Sequence, residues 1–228
     1  MTVSLSTDFI RERIAAVQSS LPPTVRLIGV TKKVPSDMVR VGYGCGLREF
    51  GESRIQEALA KQTELADLEG ITWHLIGHLQ TNKARKALLH FDWIHSLDSL
   101  KLAHKLNELA AELSRTPYCC LQVKIAPDPA KYGFDVEALW QALPALNQME
   151  HLKIVGLMTI PPLESSMADI ERIFKQAHDL ADQINLQSLD RLHITELSMG
   201  MSGDYLAAIA AGSTMIRLGS KLFGDRPA

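Results

Sequence analysis

Along the chain, short apolar runs alternate with longer stretches in which apolar residues recur every three or four positions. The first run, Arg26-Leu27-Ile28-Gly29-Val30, is what a parallel strand buried on both faces requires. Pro35 stops it, and Ser36 is placed to cap a helix over 36–43. Further strands are predicted at 49–52, 72–76, 93–97, 118–125, 152–158, 193–197 and 214–218. Helices are predicted at 53–68, 82–89, 100–113, 135–146, 167–187 and 204–211. Asp98 is the expected cap of the helix over 100–113, and Pro144 is expected to interrupt the helix over 135–146. One more amphipathic helix, 8–20, with apolar Phe9, Ile10, Ile14, Ala15 and Val17, precedes the first strand.

Strict strand–helix alternation implies parallel strands. Eight such units in 228 residues read as a single (β/α)₈ TIM barrel with an extra N-terminal helix, one domain over 1–228. A doubly wound open sheet is the alternative, but no Gly-x-Gly-x-x-Gly follows the first strand.

Composition narrows the partners. With 24 Lys and Arg against 26 Asp and Glu, the chain has no excess of positive charge for nucleic-acid phosphates. It has no apolar run of about 18 residues, so no membrane partner is expected. Its polar, mixed N-terminus lacks a signal-peptide core. The cysteines are Cys45 and the adjacent pair Cys119-Cys120, an odd count without metal-ligand spacing; reduced core thiols in the cytoplasm are expected.

Candidate chemistry gathers at strand ends. Lys32 and Lys33 follow the first strand, at the edge where α/β folds bind ligands. Taken alone, adjacent lysines are solvated turn residues. A lysine partly desolvated at that edge has a lowered pKa and can attack an aldehyde or ketone. Ser198-Met199-Gly200-Met201-Ser202-Gly203-Asp204 follows the seventh strand, and Gly219-Ser220-Lys221-Leu222-Phe223-Gly224 follows the eighth. Glycines let backbone approach an anion and serines add hydroxyl donors. A helix starting near Ser202 would aim N–H groups at the same point, and barrels habitually bind phosphate at these two loops. Arg217, on the eighth strand, must pair either with an internal carboxylate or with a ligand's acceptor. His78 follows the third strand, where a lone histidine is more often structural than catalytic. Glu49 and Glu52 are candidates for an acid–base pair, against the plainer reading of ion-paired carboxylates. Met158 reads as core or ligand wall, and Met199 and Met201 as packing. Lysine, phosphate loops and arginine together suit a ligand with an aldehyde at one end and a phosphate at the other. Pyridoxal 5′-phosphate (PLP) is such a ligand, with a ring nitrogen for Arg217.

The segments Val30-Thr31-Lys32, Phe50-Gly51-Glu52, Ile76-Gly77-His78-Leu79-Gln80-Thr81-Asn82-Lys83, Gly156-Leu157-Met158, Leu197-Ser198-Met199-Gly200-Met201-Ser202, Arg217-Leu218-Gly219 and Phe223-Gly224 together resemble the YggS/PROSC family of PLP homeostasis proteins. That family is similar in fold to the alanine racemase barrel domain, PLP fold type III. The resemblance implies that Lys32, not Lys33, forms the Schiff base, that Arg217 meets the pyridine nitrogen, and that Ser198, Gly219 and Ser220 hold the phosphate. Ser53, His78, Met158, Met199, Gly200 and Ser202 complete the cofactor site it implies, with no metal and no assured catalytic residue. Ser53 stands where the family usually has Asn.

The implied function is PLP storage, delivery or buffering, with PLP and amino acids as partners; a closed barrel needs no partner at a sheet edge, so a cytoplasmic monomer is expected. An amino-acid racemase is the alternative, and a cofactor-free Schiff-base lyase using Lys32 is a third reading. With Ala228 a few residues after the eighth strand, the second domain that gives alanine racemase its tyrosine base is not expected here. Two-sided proton transfer needs two positioned bases, and only Lys32 is evident.

Overall fold

The computed structural model describes residues 7–224. In chain order its elements are α1 (Thr7–Ser20), β1 (Arg26–Val30), α2 (Ser36–Gly44), β2 (Glu49–Glu52), α3 (Ile55–Glu64) and β3 (Thr72–Leu75). A 3₁₀ turn (Thr81–Lys83) leads into α4 (Ala84–His90), followed by β4 (Trp93–Leu97), α5 (Leu100–Glu112), β5 (Tyr118–Lys124) and the two-residue β6 (Phe134–Asp135). Then come α6 (Val136–Leu146), β7 (Lys153–Met158), α7 (Met167–Asn185), β8 (Glu196–Ser198), α8 (Tyr205–Ala210), β9 (Met215–Leu218) and α9 (Ser220–Phe223).

The strands pair in the order β4-β3-β2-β1-β9-β8-β7-β5, and β4 also pairs with β5, which closes the ring. Every pairing is parallel. Each connection returns the chain to the same end of the sheet, so all strand carboxyl ends share one rim. This is the eight-stranded barrel expected of the alternation, with β6 a short addition to β5.

Side-chain alternation along each strand divides the core in two. Outward residues meet the helices in the larger cluster, which includes Phe50, Phe91, Ile94, Leu121, Phe174 and Ile216. Inward residues form a small lumen cluster of Ile28, Trp93, Cys120, Met158 and Met215. On β1, the parity that puts Ile28 in the lumen also directs Arg26, Val30 and, beyond the strand, Lys32 inward. α1 buries Ile10, Ile14 and Val17 on one face. It also reaches the far end of the chain, where Arg13 Nη1 donates to the Ser220 carbonyl at 2.8 Å.

Local departures from the sequence reading have local causes. Ser36 is inside the first turn of α2, and the capping position is Pro35 with no side-chain bond. Ser99, not Asp98, caps α5 by accepting from the Leu102 N–H. α6 continues through Pro144, which sits close enough to the helix end to remove one hydrogen bond without stopping it. β8 begins at Glu196, not 193, because the Asn185 amide holds both the N–H and the carbonyl of Ile194 at 2.7 and 2.8 Å and withholds them from the ladder. α8 begins at Tyr205, three residues after Ser202, so no helix starts at the serine.

Candidate functional site

At the carboxyl rim lies a cavity of about 290 Å³, near the ~300 Å³ lower end for small-molecule sites. Lys32, Ser53, Ser202, Arg217, Gly219 and Ser220 line it. Those six expected residues come from the ends of β1, β2, β8 and β9, so the closed barrel brings distant segments to one point. The rest of its wall is Val30, Ile76, Ile160, Met201 and Gly203, which the sequence reading did not assign to the site. Strand parity is the signal that finds the first two. Val30 lies two residues before Lys32, and Ile76 two residues after the lumen-facing His74. A second recess of about 520 Å³ shares Ser202 and Ser220 but is otherwise lined by Arg13, Ala16, Val17, Tyr205 and Lys221. The strand-end lysine and the buried arginine belong to the smaller cavity.

The turn that carries Lys32 is clamped on both sides. Before it, the Thr31 N–H donates to the Gly51 carbonyl at 3.0 Å, and the Thr31 hydroxyl donates to Glu52 Oε1 at 2.6 Å. Lys61, reaching over from α3, donates to the Thr31 carbonyl and to Glu52 Oε1 at 2.6 Å and Glu57 Oε1 at 2.8 Å. After it, the Lys33 N–H donates to Glu57 Oε1. Lys33 has φ of 60°, a left-handed conformation that sends successive side chains apart. Lys33 is exposed, whereas Lys32 is half-buried against the cavity. Burial pushes the Glu52 carboxyl above its ordinary range, and Lys61 and Thr31 pull it back. Glu49 and Glu52 do not form an acid–base pair. Alternation on β2 turns Glu49 to the lumen, beside Arg26, and Glu52 to the helix side, beside Lys61.

Ser53 is set by a close approach. A Cβ on Gly77 would lie 2.2 Å from the Ser53 carbonyl oxygen, so the loop after β3 can pack against Ser53 only with glycine there. In the loop after β8, Asp204 Oδ1 accepts from the Met201 N–H at 2.5 Å and closes the loop that presents Ser202 and Gly203. The Ser202 hydroxyl accepts from the Lys221 N–H at 3.2 Å, tying the loop after β8 to that after β9. Gly200 has φ of 96°, and its carbonyl accepts from the Arg217 N–H at 2.9 Å.

Arg217 is 4 % exposed and, among the described residues, has no carboxylate within ion-pair distance. Its Nη1 donates to Ser198 Oγ at 2.7 Å and its Nη2 to the Thr159 carbonyl at 3.2 Å. Burial lowers its pKa to about 10, which leaves it protonated at neutral pH. Of the two fates open to it in the sequence, an internal carboxylate is not the one adopted; its charge is turned to the cavity.

Five other expected site residues do not line the cavity. The Ser198 hydroxyl lies beneath the site, engaged by Arg217 and, at 2.8 Å, by His95 Nδ1. Met158 is in the lumen cluster and Met199 in the outer core. Gly200 shapes the loop behind the wall. His78 stacks on Tyr132 with ring centroids 3.5 Å apart and contacts Asp98 at 2.9 Å. Ser198 was expected in the loop after the seventh strand, on the phosphate; it is instead the last residue of β8, where strand parity sends its side chain into the lumen.

The wall thus offers an amine, three serine hydroxyls, glycine backbone and a guanidinium, a donor set suited to a small phosphorylated aldehyde carrying a ring acceptor. Residues 5–227 match the family model described as alanine racemase, N-terminal domain. The chain is 52 % identical over 208 residues to a pyridoxal phosphate homeostasis protein of Synechocystis sp. (strain PCC 6803), covering 91 % of this chain and 94 % of that one. The structure of PipY of Synechococcus elongatus PCC7942, with PLP bound, superposes with a TM-score of 0.91 at 51 % identity, covering 94 % of this chain and 100 % of that one. Alanine racemase of Clostridium difficile 630 shares the fold, with a TM-score of 0.76 at 17 % identity over 97 % of this chain and 58 % of that one.

Proposed function

The chain belongs to the pyridoxal phosphate homeostasis proteins, within the alanine racemase N-terminal domain family, and we propose that it holds PLP in the rim cavity, bound through Lys32. The observation that carries this reading is the meeting of Lys32, the two serine–glycine loops and the uncompensated Arg217 in one small cavity.

Bound PLP supplies an aldehyde carbon that takes up amines and a ring that draws electrons from it. Lys32 is the amine on the wall, at the end of β1. Ser202, Ser220 and the backbone at Gly203 and Gly219 would receive the phosphate. Arg217 would face the ring nitrogen, with Ser53 also on the wall. A guanidinium there cannot accept a proton, and its charge opposes one on the ring nitrogen. The electron sink is then weak, which suits holding and exchanging the cofactor better than turning over amino acids.

The racemase alternative needs a base on each face of the substrate. Among the described residues, Lys32 and Arg217 are the titratable groups on the cavity wall, and a guanidinium at neutral pH is no base. That observation favours a PLP carrier or buffer whose partners are PLP and free amino acids. We read the protein as a monomer, because ring closure satisfies the strands without a second copy. Among the described residues no helix is long and apolar enough to cross a membrane. Its three cysteines are unpaired, which supports the cytoplasm as its place.

The test is α-proton exchange in deuterated water over a panel of amino acids, with PLP transfer to an apo-enzyme followed in parallel. The reading predicts transfer and only slow exchange. Rapid scrambling of one amino acid at enzyme-like rates, without transfer, would establish the racemase instead.

A further inference from the structure

A line of polar side chains crosses the barrel lumen beneath the cavity, in a place where parallel barrels are filled with apolar residues. From Arg217 on β9 it passes to Ser198 on β8 at 2.7 Å, then across the lumen to His95 on β4 at 2.8 Å. From His95 Nε2 it continues to His74 Nδ1 on β3 at 2.9 Å. His74 Nε2 then lies 3.1 Å from Glu49 Oε2 on β2, in contact but off the line of a well-formed hydrogen bond. Glu49 is held in turn by Arg26 of β1 at 2.8 Å. Ser198, His95 and His74 have no exposed surface.

The chain has one allowed polarity. Arginine has no acceptor, so Arg217 donates to Ser198. The serine has one proton, and its remaining partner is His95 Nδ1. Were His95 to donate instead, that buried hydroxyl proton would have no acceptor. His95 therefore accepts at Nδ1 and donates from Nε2 to His74 Nδ1. His74 carries its proton on Nε2, facing a carboxylate that cannot donate. The reverse polarity would also turn a ring lone pair toward Glu49. Burial keeps both histidines neutral, His95 well below its ordinary range.

We infer that His95 and His74 are positioning residues for Arg217, holding its guanidinium through Ser198 by a one-way hydrogen-bond chain that ends on His74, whose Nε2 faces Glu49. The inference deepens, and rests on, the reading that Arg217 faces PLP. Two guanidinium nitrogens are occupied by Ser198 and Thr159, so the plane of Arg217 is fixed and its other N–H groups remain for the cavity. Glu49, itself paired with Arg26, faces His74 Nε2 and so selects which ring nitrogen carries the proton, and each link orients the dipole of the next.

Nitrogen-15 spectra of the cofactor-free protein read the polarity directly. Both histidines should be neutral with the proton on Nε2, and Ser198→Ala should shift the His95 Nδ1 signal. A proton on His95 Nδ1, or an imidazolium at neutral pH, overturns the inference. In the PLP-loaded protein, His95→Leu should release PLP about tenfold faster, the consequence of losing about one hydrogen bond. His95→Gln, which can accept from Ser198 and donate to His74, should restore the slow release. If Arg217→Met weakens PLP binding but His95→Leu does not speed release, the chain has no positioning role. If Arg217→Met leaves PLP binding unchanged, the reading of Arg217 at the ring fails, and the inference with it.

Discussion

Lys61 donates to the carbonyl of Thr31, the residue immediately before Lys32. The same ammonium is 2.6 Å from Glu52, and both side chains are buried, at 7 and 0 % exposure. The cluster is an ionic buttress under the turn that presents Lys32, on the helix side of β2 where apolar packing is the rule. Removing one partner strands the other, which is more damaging than removing both. Lys61→Met should lower unfolding stability by about 3–5 kcal/mol, and Lys61→Met with Glu52→Leu should recover much of it. Urea denaturation of the two variants checks this. A single variant as stable as the double would mean that the pair does not hold the turn.

The phosphate loops give a second expectation. Pyridoxal lacks the group that Ser202, Ser220 and the glycine backbone would receive, and each charge-assisted bond is worth about 1.5–3 kcal/mol. Equilibrium titration should show PLP binding at least about a hundredfold more tightly than pyridoxal. Ser202→Ala and Ser220→Ala should each narrow the gap while leaving pyridoxal affinity unchanged. Equal affinities for the two aldehydes would remove the phosphate from these loops.

Stability should depend on pH in two stages. Buried His74 and His95 have pKa values lowered by desolvation, so below the ordinary 6.5 the unfolded chain takes up protons that the folded chain refuses. Their contribution is complete above that pH and is lost progressively as the pH falls. Glu49 follows: burial opposes its ionisation, but His74 and Arg26 bring it from the ordinary 4.5 down to about 2. It adds about 3 kcal/mol that is present above 4.5 and disappears as the pH falls toward 2. Denaturant midpoints measured from pH 8 to pH 3 should decline from near 6.5 and steepen below 4.5. In His95→Gln the first decline should be shallower. A midpoint flat down to pH 5 would contradict the neutral buried histidines.

What could be read in advance follows from how local each cause is. Eight apolar runs spaced by amphipathic segments leave few folds, and the barrel closed as the alternation requires. The lysine at the end of β1 and the serine–glycine loops were legible because the strand carboxyl edge and glycine content are sequence-local. Ser198 was not, because whether a hydroxyl faces a ligand or the lumen depends on a register set by seven other strands. The His74–His95 contact joins two strands, and nothing local signals a 2.9 Å approach. A hint existed: Arg26, Glu49, His74, His95, Ser198 and Arg217 are polar residues on strands, each at an inward-facing position. The close approach of Gly77 to Ser53 likewise joins two loops, and nothing local signals it.

The central claim is that PLP is anchored on Lys32, the half-buried lysine of an adjacent pair. Borohydride reduction of the PLP-loaded protein, followed by peptide mapping, tests it most directly. The label should fall on Lys32, the visible absorption band of the bound cofactor should vanish, and Lys32→Ala should show neither band nor label while Lys33→Ala shows both. A label on Lys33, or a band that survives in Lys32→Ala, would contradict the account.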